Sequence, residues 1–370
     1  MKTSLEQSAL KLFEQVCQTQ GMDNNILFSP YSLQQALSLL FVNTEDEHIQ
    51  KEVASYVSPD MLDESLRNTK SGTLMLLKDR YKSFRTYKEK GTIDFFSSPE
   101  DGAQKIADFQ MQHLGEILFY AKPAKDDNLG LYSALYYSAE WEKAFNKYNT
   151  MPRPFYLDDG KEIQPETMKS EFSGVYGCVT ADYEVAALPG KNHSIAYFVK
   201  PKKRKGIQRL WHICSLITSH KTKEEVLRHL WDICNHDDEL HHEVLFSMPK
   251  VSMKATVSSK PVLESLNMPW LTKKSFTLDK IVDHSDPRLL PAELNDIQQS
   301  VRLCLDETTM KVKAYTESEL CLPVLMKVPD PEPPKPLIIT MDSPYFIVIK
   351  DKTPDGTTRI VCTAWISDPR

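Results

Sequence analysis

The chain has 370 residues and a net charge of −6, from 45 Lys and Arg against 51 Asp and Glu. Hydrophobic residues make up 41% and charged residues 26%, so a sizeable core is possible and wholesale disorder is excluded. A charge balance this close to neutral gives no global attraction to nucleic acid or to an acidic membrane. Glycine is scarce, with 12 residues beside 23 prolines, which excludes a glycine-rich low-complexity protein.

Helices are predicted first along the chain, over residues 1–20 and 29–42. The first is amphipathic, without the apolar run of a signal peptide, and no stretch of the chain is long and apolar enough to span a membrane. The second opens on Ser29 and Pro30, an N-cap followed by proline at the first helical position. Buried apolar positions at helical spacing predict a third helix over residues 101–118.

Strand signals dominate the remainder. The apolar run Leu129–Tyr137 is typical of a strand buried on both faces. Alternating residues and short apolar runs between turn residues predict seven further strands: Glu184–Leu188, Ser194–Lys200, Val244–Met248, Lys250–Val257, Val301–Leu305, Phe346–Lys350 and Arg359–Ile366. Turns at Pro189–Asn192 and Thr353–Gly356 join two pairs of these strands into hairpins.

A further helix is predicted over residues 206–233. The chain shows neither an internal repeat nor a composition break that would mark a domain boundary. The first half is expected to be mostly helical and the second half largely β, with the two interleaved. This pattern predicts one large α+β domain over residues 1–370.

A specific motif lies at the step from the first predicted helix to the second. The pattern Asn-(Ile/Val)-x-x-Ser-Pro-x-Ser-(hydrophobic)-x-x-Ala-Leu is met by Asn25, Ser29, Pro30, Ser32, Ala36 and Leu37. This motif resembles the N-terminal signature of the serpin family. Weaker likenesses follow in the family's order, at Leu131–Tyr137 with Trp141 and Phe145, at Phe155, Gly160, Lys161 and Met168, at Leu188, Pro189, Ser194 and Ile195, at Met248–Lys250, at Pro344–Phe346 and at Asp368 with Pro369.

The resemblance implies a serpin-like single domain with three β-sheets, eight or nine helices and an exposed reactive loop near the C-terminus, at about residues 307–343. In inhibitory members an endopeptidase cleaves this loop, which then inserts into the main sheet as a new central strand and carries the acylated protease to the far pole. The expected partner is therefore an endopeptidase or else an unidentified protein. A monomer without catalytic residues, cofactor or membrane contact is expected.

The hinge of that loop is predicted at Glu307, Thr308, Thr309, Met310, Val312 and Ala314, with Glu307 at the family's hinge glutamate. Small or apolar residues continue at every second position through Thr316, Ser318 and Leu320. Charged residues take most of the positions in between: Lys311, Lys313, Glu317 and Glu319. Alternation with a period of two residues is typical of a strand with one buried face, so it favours insertion of the loop into a sheet. A register shift of one residue would turn Lys311 and Lys313 inward.

Other features oppose insertion. Inhibitory hinges typically carry a glycine and then alanines, whereas Thr309 takes the glycine position here and bulkier residues follow. The loop is longer than usual because of a proline-rich stretch, residues 329–336, and Pro323 would hinder cleavage at a bait bond near Leu322, Pro323 and Val324. Glycine is also common in the family where this chain has Val42 and Asn43, Ser138 and Ala139, Asn267, and Ala364.

On balance these features predict a serpin-family protein with lost or altered trapping, which acts as a binding or regulatory protein. One alternative is an active inhibitor of serine or cysteine endopeptidases. Another is a polyanion-binding or chaperone-like member, suggested by the basic run Lys200–Lys205 with Lys202, Lys203, Arg204 and Lys205. That run resembles a short nuclear-localisation signal, but a solvated turn after a strand is the favoured interpretation, and heparin or nucleic acid is not the expected partner.

The seven cysteines are odd in number and scattered, which favours free thiols in a reduced compartment. A cytoplasmic location is expected, with a nuclear one as the alternative. A cluster of Cys234, His236, His241 and His242 matches no common zinc spacing, so no metal site is predicted. The sequence also lacks a phosphate-binding glycine-rich loop and a Gly-x-Ser-x-Gly elbow, so an enzyme is the least supported class.

Overall fold

A computed structural model describes residues 5–117, 120–125, 127–179, 183–202, 241–285, 291–311 and 336–370. Its α-helices are α1 (Leu5–Gln20), α2 (Pro30–Asn43), α3 (Glu47–Val53), α4 (Pro99–Leu114), α5 (Lys260–Ser265) and α6 (Pro269–Lys273). Short 3-10 helices lie at Pro59–Leu62, Asp79–Phe84 and Lys147–Asn149. The helix predicted over residues 206–233 lies outside the described residues.

The strands are, in chain order, β1 (Ile26–Phe28), β2 (Thr69–Lys78), β3 (Thr92–Phe96), β4 (Leu129–Glu140), β5 (Met151–Pro152), β6 (Phe155–Tyr156), β7 (Glu162–Ile163), β8 (Glu166–Val179), β9 (Tyr183–Gly190), β10 (Ser194–Pro201), β11 (His241–Pro249), β12 (Val251–Ser258), β13 (Leu294–Leu305), β14 (Thr309–Lys311), β15 (Leu337–Thr340), β16 (Tyr345–Lys352) and β17 (Thr358–Ile366). All eight predicted strands are present, most of them longer than predicted.

These strands form three sheets, which confirms the predicted α+β fold. The largest has nine strands in the order β1-β17-β16-β10-β9-β8-β11-β15, with β5 paired to β8. The second has six strands in the order β12-β13-β14-β4-β2-β3, and the third is the small pair β6-β7. Both predicted hairpins are present, as β9-β10 and β16-β17.

The helix α2 lies between the two large sheets. Its start follows from local chemistry, because the hydroxyl of Ser29 accepts the N–H of Ser32 at 3.2 Å and Pro30 has no N–H that would need an acceptor. Nearly every residue of α2 is buried, including Leu33, Ala36 and Leu37. Its buried polar side chains are hydrogen-bonded, as those of Gln34, Gln35 and Ser38 show, so the whole helix can lie inside the protein.

The helix predicted over residues 101–118 is α4, which begins and ends earlier than predicted. Ser98 caps its start by accepting the N–H of Asp101, and Pro99 takes the first helical position. Gly115, with φ 78°, ends it in the left-handed conformation that glycine adopts without strain. This helix packs on the outer face of the six-stranded sheet, over an apolar cluster of Leu74, Leu76, Phe96, Ile106, Phe109, Tyr132 and Ala134.

The expectation that the first half is mostly helical is wrong. The strands β2 and β3 were not predicted, although β2 contains the apolar stretch Leu74–Leu77. β2 begins in the polar residues Thr69–Gly72, which show no strand pattern by themselves. β3 is an edge strand that carries a charged residue, Asp94, in its middle. Such strands form because a neighbouring strand offers hydrogen bonds, and local sequence does not report that.

Within the described residues, no helix is long and apolar enough to cross a membrane.

Candidate functional site

The predicted hinge begins inside the six-stranded sheet. β14 pairs antiparallel with β13 on one side (Leu305 opposite Met310) and with β4 on the other (Ala139 opposite Met310). Further along, β13 and β4 pair directly with each other in parallel, from Leu294 opposite Leu129 to Ser300 opposite Ala134. The central strands β4 and β13 are therefore paired at one end of the sheet and separated at the other by the three residues of β14, Thr309–Lys311.

A tight turn connects β13 to β14. The carboxylate Oδ1 of Asp306 accepts hydrogen bonds from the N–H and hydroxyl groups of Thr308 and Thr309, at 2.8 to 3.0 Å. The N–H of Asp306 donates to the carbonyl of Thr309 at 3.0 Å. Burial opposes ionisation of Asp306, but these hydrogen bonds outweigh it and hold its pKa below the usual range. Asp306 was not among the predicted hinge residues.

Glu307 connects the hinge to Lys250, the residue between β11 and β12. Its carboxylate lies 2.8 Å from the ammonium of Lys250, which also lies 3.3 Å from that of Glu166. Burial acts against both charged forms, yet the hydrogen bonds and opposite charges of the pair lower the pKa of Glu307 and raise that of Lys250. The main-chain carbonyl of Glu307 accepts the N–H of Phe145 at 2.7 Å. Turn and ion pair together hold the start of the hinge in place.

Met310 is the first hinge residue to enter the core. Its side chain is fully buried, and its sulfur lies 3.8 Å from the hydroxyl of Tyr137. Gly190 makes room for it, because a Cβ at position 190 would lie 2.2 Å from the Met310 methyl carbon. Trp141 closes this socket: its indole N–H donates to the carbonyl of Asp306 at 2.8 Å, and its main-chain N–H donates to that of Thr308 at 3.1 Å.

The remaining loop predictions are not tested by the structure. Val312 and Ala314 of the hinge, and the bait-bond region Leu322, Pro323 and Val324, lie outside the described residues. The hinge residues that are described, Glu307–Met310, lie together at the open end of the sheet.

The residues of the N-terminal motif form hydrogen bonds to both large sheets and to the C-terminal residues. The hydroxyl of Ser29 donates to the carbonyl of Val361 at 2.7 Å, and its N–H donates to the side-chain oxygen of Gln299 at 2.8 Å. The side-chain oxygen of Asn25 accepts the N–H groups of Ser367 and Asp368 at 2.7 and 2.9 Å. Pro30, Ser32, Ala36 and Leu37 are buried in or beside the first turns of α2. The motif thus joins both large sheets and the C-terminus.

Other residues fill the positions where the resemblance leads one to expect glycine. Asn267 has φ 56°, a left-handed conformation that asparagine tolerates better than most residues. The side chain of Asn43 is buried and bonds the carbonyl groups of Leu39 and Lys90, each at 2.8 Å. Ala364 is fully buried in β17, and Ala139 stands opposite Met310.

The basic run is only partly described. Lys200 is buried between Glu184, at 3.0 Å, and Asp342, at 2.8 Å. Lys202 lies 3.6 Å from the other oxygen of Glu184. The first two cations of the run are therefore ion-paired. Lys203, Arg204 and Lys205 lie outside the described residues.

Neither a disulfide nor a metal site is found in the described part of the chain. Cys17, Cys178, Cys304 and Cys362 carry free thiols, and burial is the main cause that raises the pKa of each. Within the same residues, no three His, Cys, Asp or Glu side chains converge as metal ligands would. Cys234 and His236 of the candidate cluster lie outside the described range.

A six-stranded sheet in which β14 partly separates the central strands β4 and β13, beside a nine-stranded sheet, is the architecture that the resemblance of the N-terminal motif led us to expect. The family model described as Serpin (serine protease inhibitor) matches residues 76–360. The chain belongs to the serpin family.

Relatives and solved structures agree with this assignment. Iripin-2 from Ixodes ricinus is 22% identical, over 90% of this chain and 86% of its own length. Plasminogen activator inhibitor 1 from Mus musculus is 24% identical, over 81% of this chain and 78% of its own. Among structures, Serpin48 from Tenebrio molitor superposes with a TM-score of 0.73 at 17% identity, covering 98% of both chains. Human kallistatin does so with 0.72 at 16% identity, covering 97% of this chain and 95% of its own.

Proposed function

We propose that this chain is a serpin-type inhibitor of endopeptidases that captures its target by inserting the reactive loop between β4 and β13. The observation that carries the proposal is β14, which already pairs with both strands and buries Met310. Insertion then only extends β14 one residue at a time between the two strands, and no separate strand pairing has to be started. The turn at Asp306 is already closed and directs the chain back between the two strands.

The observed register favours lengthening. Alternate residues of a strand share a face, so Met310 in the core predicts an inward side chain for Val312 and Ala314. If the ladders continue, Val312 lies between Tyr137 and Leu303, and Ala314 lies between Leu135 and Val301. All four flanking side chains are buried, and each of the two rows is mainly apolar. The same register places Lys313 on the outer face.

The exchange of strand pairs also favours insertion. The parallel ladder between Leu129–Ala134 and Leu294–Ser300 would open, and an antiparallel ladder would form on each side of the new strand. Antiparallel pairs are slightly more stable per residue than parallel ones, and two ladders replace one. Several similar proteins are named as protease inhibitors, among them the mouse plasminogen activator inhibitor and the Leukocyte elastase inhibitor from Xenopus laevis. These names support an endopeptidase as the target class.

Incubation with a panel of serine and cysteine endopeptidases tests the proposal. An inhibitor forms an SDS-stable complex with at least one protease, and its cleaved form melts at a higher temperature than the intact form. Val312→Arg would place a charge between Tyr137 and Leu303 and should convert the inhibitor into a substrate. Lys313→Arg, on the outer face, is the matched control and should still form the complex. Cleavage by every active protease without any complex, and without a gain in melting temperature, would refute trapping.

A non-trapping binding or regulatory protein is the second candidate. In the same register Tyr315 stands opposite Ala134 and Glu317 opposite Tyr132. Ala134 and Tyr132 belong to the apolar cluster beneath α4, so full insertion would bring a glutamate under that helix. Burying an unpaired carboxylate is costly, which would slow or stop insertion. The protease panel separates the two candidates, because only the first yields a complex.

A polyanion-binding role is the third candidate and has less support. Lys200 and Lys202 are already ion-paired, and Lys200 is buried, so neither is a free surface cation. Binding to heparin that weakens steeply as salt is raised would support this role, and absence of binding at low salt would exclude it.

A further inference from the structure

His284 closes the loop of residues 277–284, which lies between α6 and β13. The main-chain N–H of Leu278 donates a hydrogen bond to Nε2 of His284 at 3.0 Å. A ring nitrogen accepts a hydrogen bond only while it carries no proton, so the proton of this neutral ring lies on Nδ1. Leu278 is only 1% exposed, and a buried N–H that loses its acceptor costs free energy. The closed loop therefore requires a neutral His284.

The surroundings of His284 oppose its protonation. Burial lowers the pKa of His284, and the negative charges of Asp279 and Asp283 in the same loop offset only part of that effect. The loop itself and the residues bonded to it carry three further charged side chains: Lys280, Glu45 and Arg85. Of these, Lys280 donates to a main-chain carbonyl at 2.9 Å, and Arg85 pairs with Glu89.

Two hydrogen bonds attach the segment of residues 84–87 to this loop. The N–H of Asp283 donates to the carbonyl of Phe84 at 2.8 Å, and the N–H of Thr86 donates to the carbonyl of Ile281 at 2.9 Å. The next residue, Tyr87, is 78% exposed and has φ 59°, a left-handed conformation that is uncommon for a bulky side chain. Such a backbone persists only where its surroundings hold it, so opening of the loop should also release this segment.

We propose that His284 is a pH-sensitive latch for the 277–284 loop and for the attached segment 84–87. At neutral pH the ring accepts the N–H of Leu278 and the loop is closed. A protonated ring carries N–H groups on both nitrogens, so two donors would face each other and the loop opens. The stability of the closed loop is complete above about pH 7 and is lost as pH falls through about 6.5, the ordinary pKa of histidine. This latch goes beyond the proposed function and does not depend on protease trapping.

Hydrogen exchange of the full-length protein at pH 7.5 and 5.5 tests the latch. The protection factor of the Leu278 amide, which is corrected for the intrinsic effect of pH on exchange, should fall about five- to tenfold at the lower pH. His284→Gln keeps an acceptor oxygen but does not titrate, so its protection should stay constant. His284→Ala has no acceptor, so its protection should be low at both pH values. His113→Gln is the matched control, since His113 is another half-buried histidine with a lowered pKa, and should keep the fall.

The Thr86 amide provides a second measurement, because it donates to the loop. Its protection should fall together with that of Leu278 in the parent and stay constant in His284→Gln. If the Leu278 amide of the parent is equally protected at both pH values, the latch is refuted. It is also refuted if His284→Gln shows the same fall as the parent. A fall at Leu278 with no change at Thr86 would refute the release of the segment 84–87.

Discussion

Gly190 and Met310 share one space: the methyl group of Met310 lies where the side chain of any other residue at position 190 would begin. Gly190 ends β9 and forms an isolated antiparallel bridge with Trp141, the residue that follows β4 of the six-stranded sheet. The contact therefore joins the hinge to the nine-stranded sheet. In a chain with only 12 glycines, this one is needed for close approach and not for an unusual backbone angle.

Gly190→Ala should destabilise the protein by about 1–3 kcal/mol, because the new methyl group overpacks the socket. It would meet the hydroxyl of Ser194 at 2.4 Å as well as Met310, so small movements do not relieve the clash. Urea unfolding measures the effect. In a double-mutant cycle with Met310→Ala, the two changes should couple by about 1 kcal/mol or more. Additive effects would show that the two residues do not share the space.

The two carboxylates at the hinge turn should make the free energy of unfolding fall at acid pH. The pKa values of Asp306 and Glu307 are both lowered in the folded protein, so the unfolded chain binds more protons as pH approaches about 4. Their contribution is complete above about pH 5, begins to fall as pH nears the unfolded pKa values, and is lost as pH falls through the folded pKa values. Unfolding free energy should therefore decline below about pH 5.

The variant Asp306→Asn measures how much of the decline in unfolding free energy at acid pH comes from the turn at Asp306. Asparagine keeps an oxygen for the N–H groups of Thr308 and Thr309 but loses the charge. Stability at pH 7 should fall by about 1 kcal/mol, since hydrogen bonds to charged groups are the stronger ones. The acid decline should become shallower. Urea unfolding across pH 3 to 7 would contradict this origin if the variant and the parent gave parallel curves.

Lys250→Ala should loosen the start of the hinge. It leaves the largely buried carboxylate of Glu307 without its cation, which should cost about 1–2 kcal/mol. Hydrogen exchange of the Phe145 amide, which donates to Glu307, should become faster. Lys161→Ala is the matched control, since Lys161 and Asp159 pair while 77% and 50% exposed, and should change stability by less than about 0.5 kcal/mol. Equal effects of the two variants would argue against a structural role for the hinge pair.

Substitutions at Asn267 test whether the backbone is strained at a position where glycine is common in the family and this chain has asparagine. Its φ of 56° predicts that Asn267→Ala destabilises the protein by about 1 kcal/mol, because alanine adopts the left-handed conformation only at a cost. Asn267→Gly should be neutral or slightly stabilising. Thermal melting of the two variants measures the difference. An alanine variant as stable as the glycine variant would mean that the backbone relaxes at this position.

Local sequence was enough for several features of the fold. The capped start of α2 follows from Ser29 and Pro30, and the hairpin turns at Pro189–Asn192 and Thr353–Gly356 follow from their turn residues. The alternation that begins at Met310 predicted a half-buried strand, of which the structure describes Thr309–Lys311 with Met310 buried. In each case the signal lies within a few residues, because capping, turn formation and side-chain alternation are local properties of the backbone.

Sequence also determined the family, through a motif and the order of weaker likenesses, and it predicted a hinge that begins at Glu307. Tertiary structure decided what surrounds these residues. The turn at Asp306 and the socket at Gly190 form only when β4, β9 and β13 meet around β14. No local pattern reports such contacts, because they join residues that are distant in the chain and depend on which strands become neighbours.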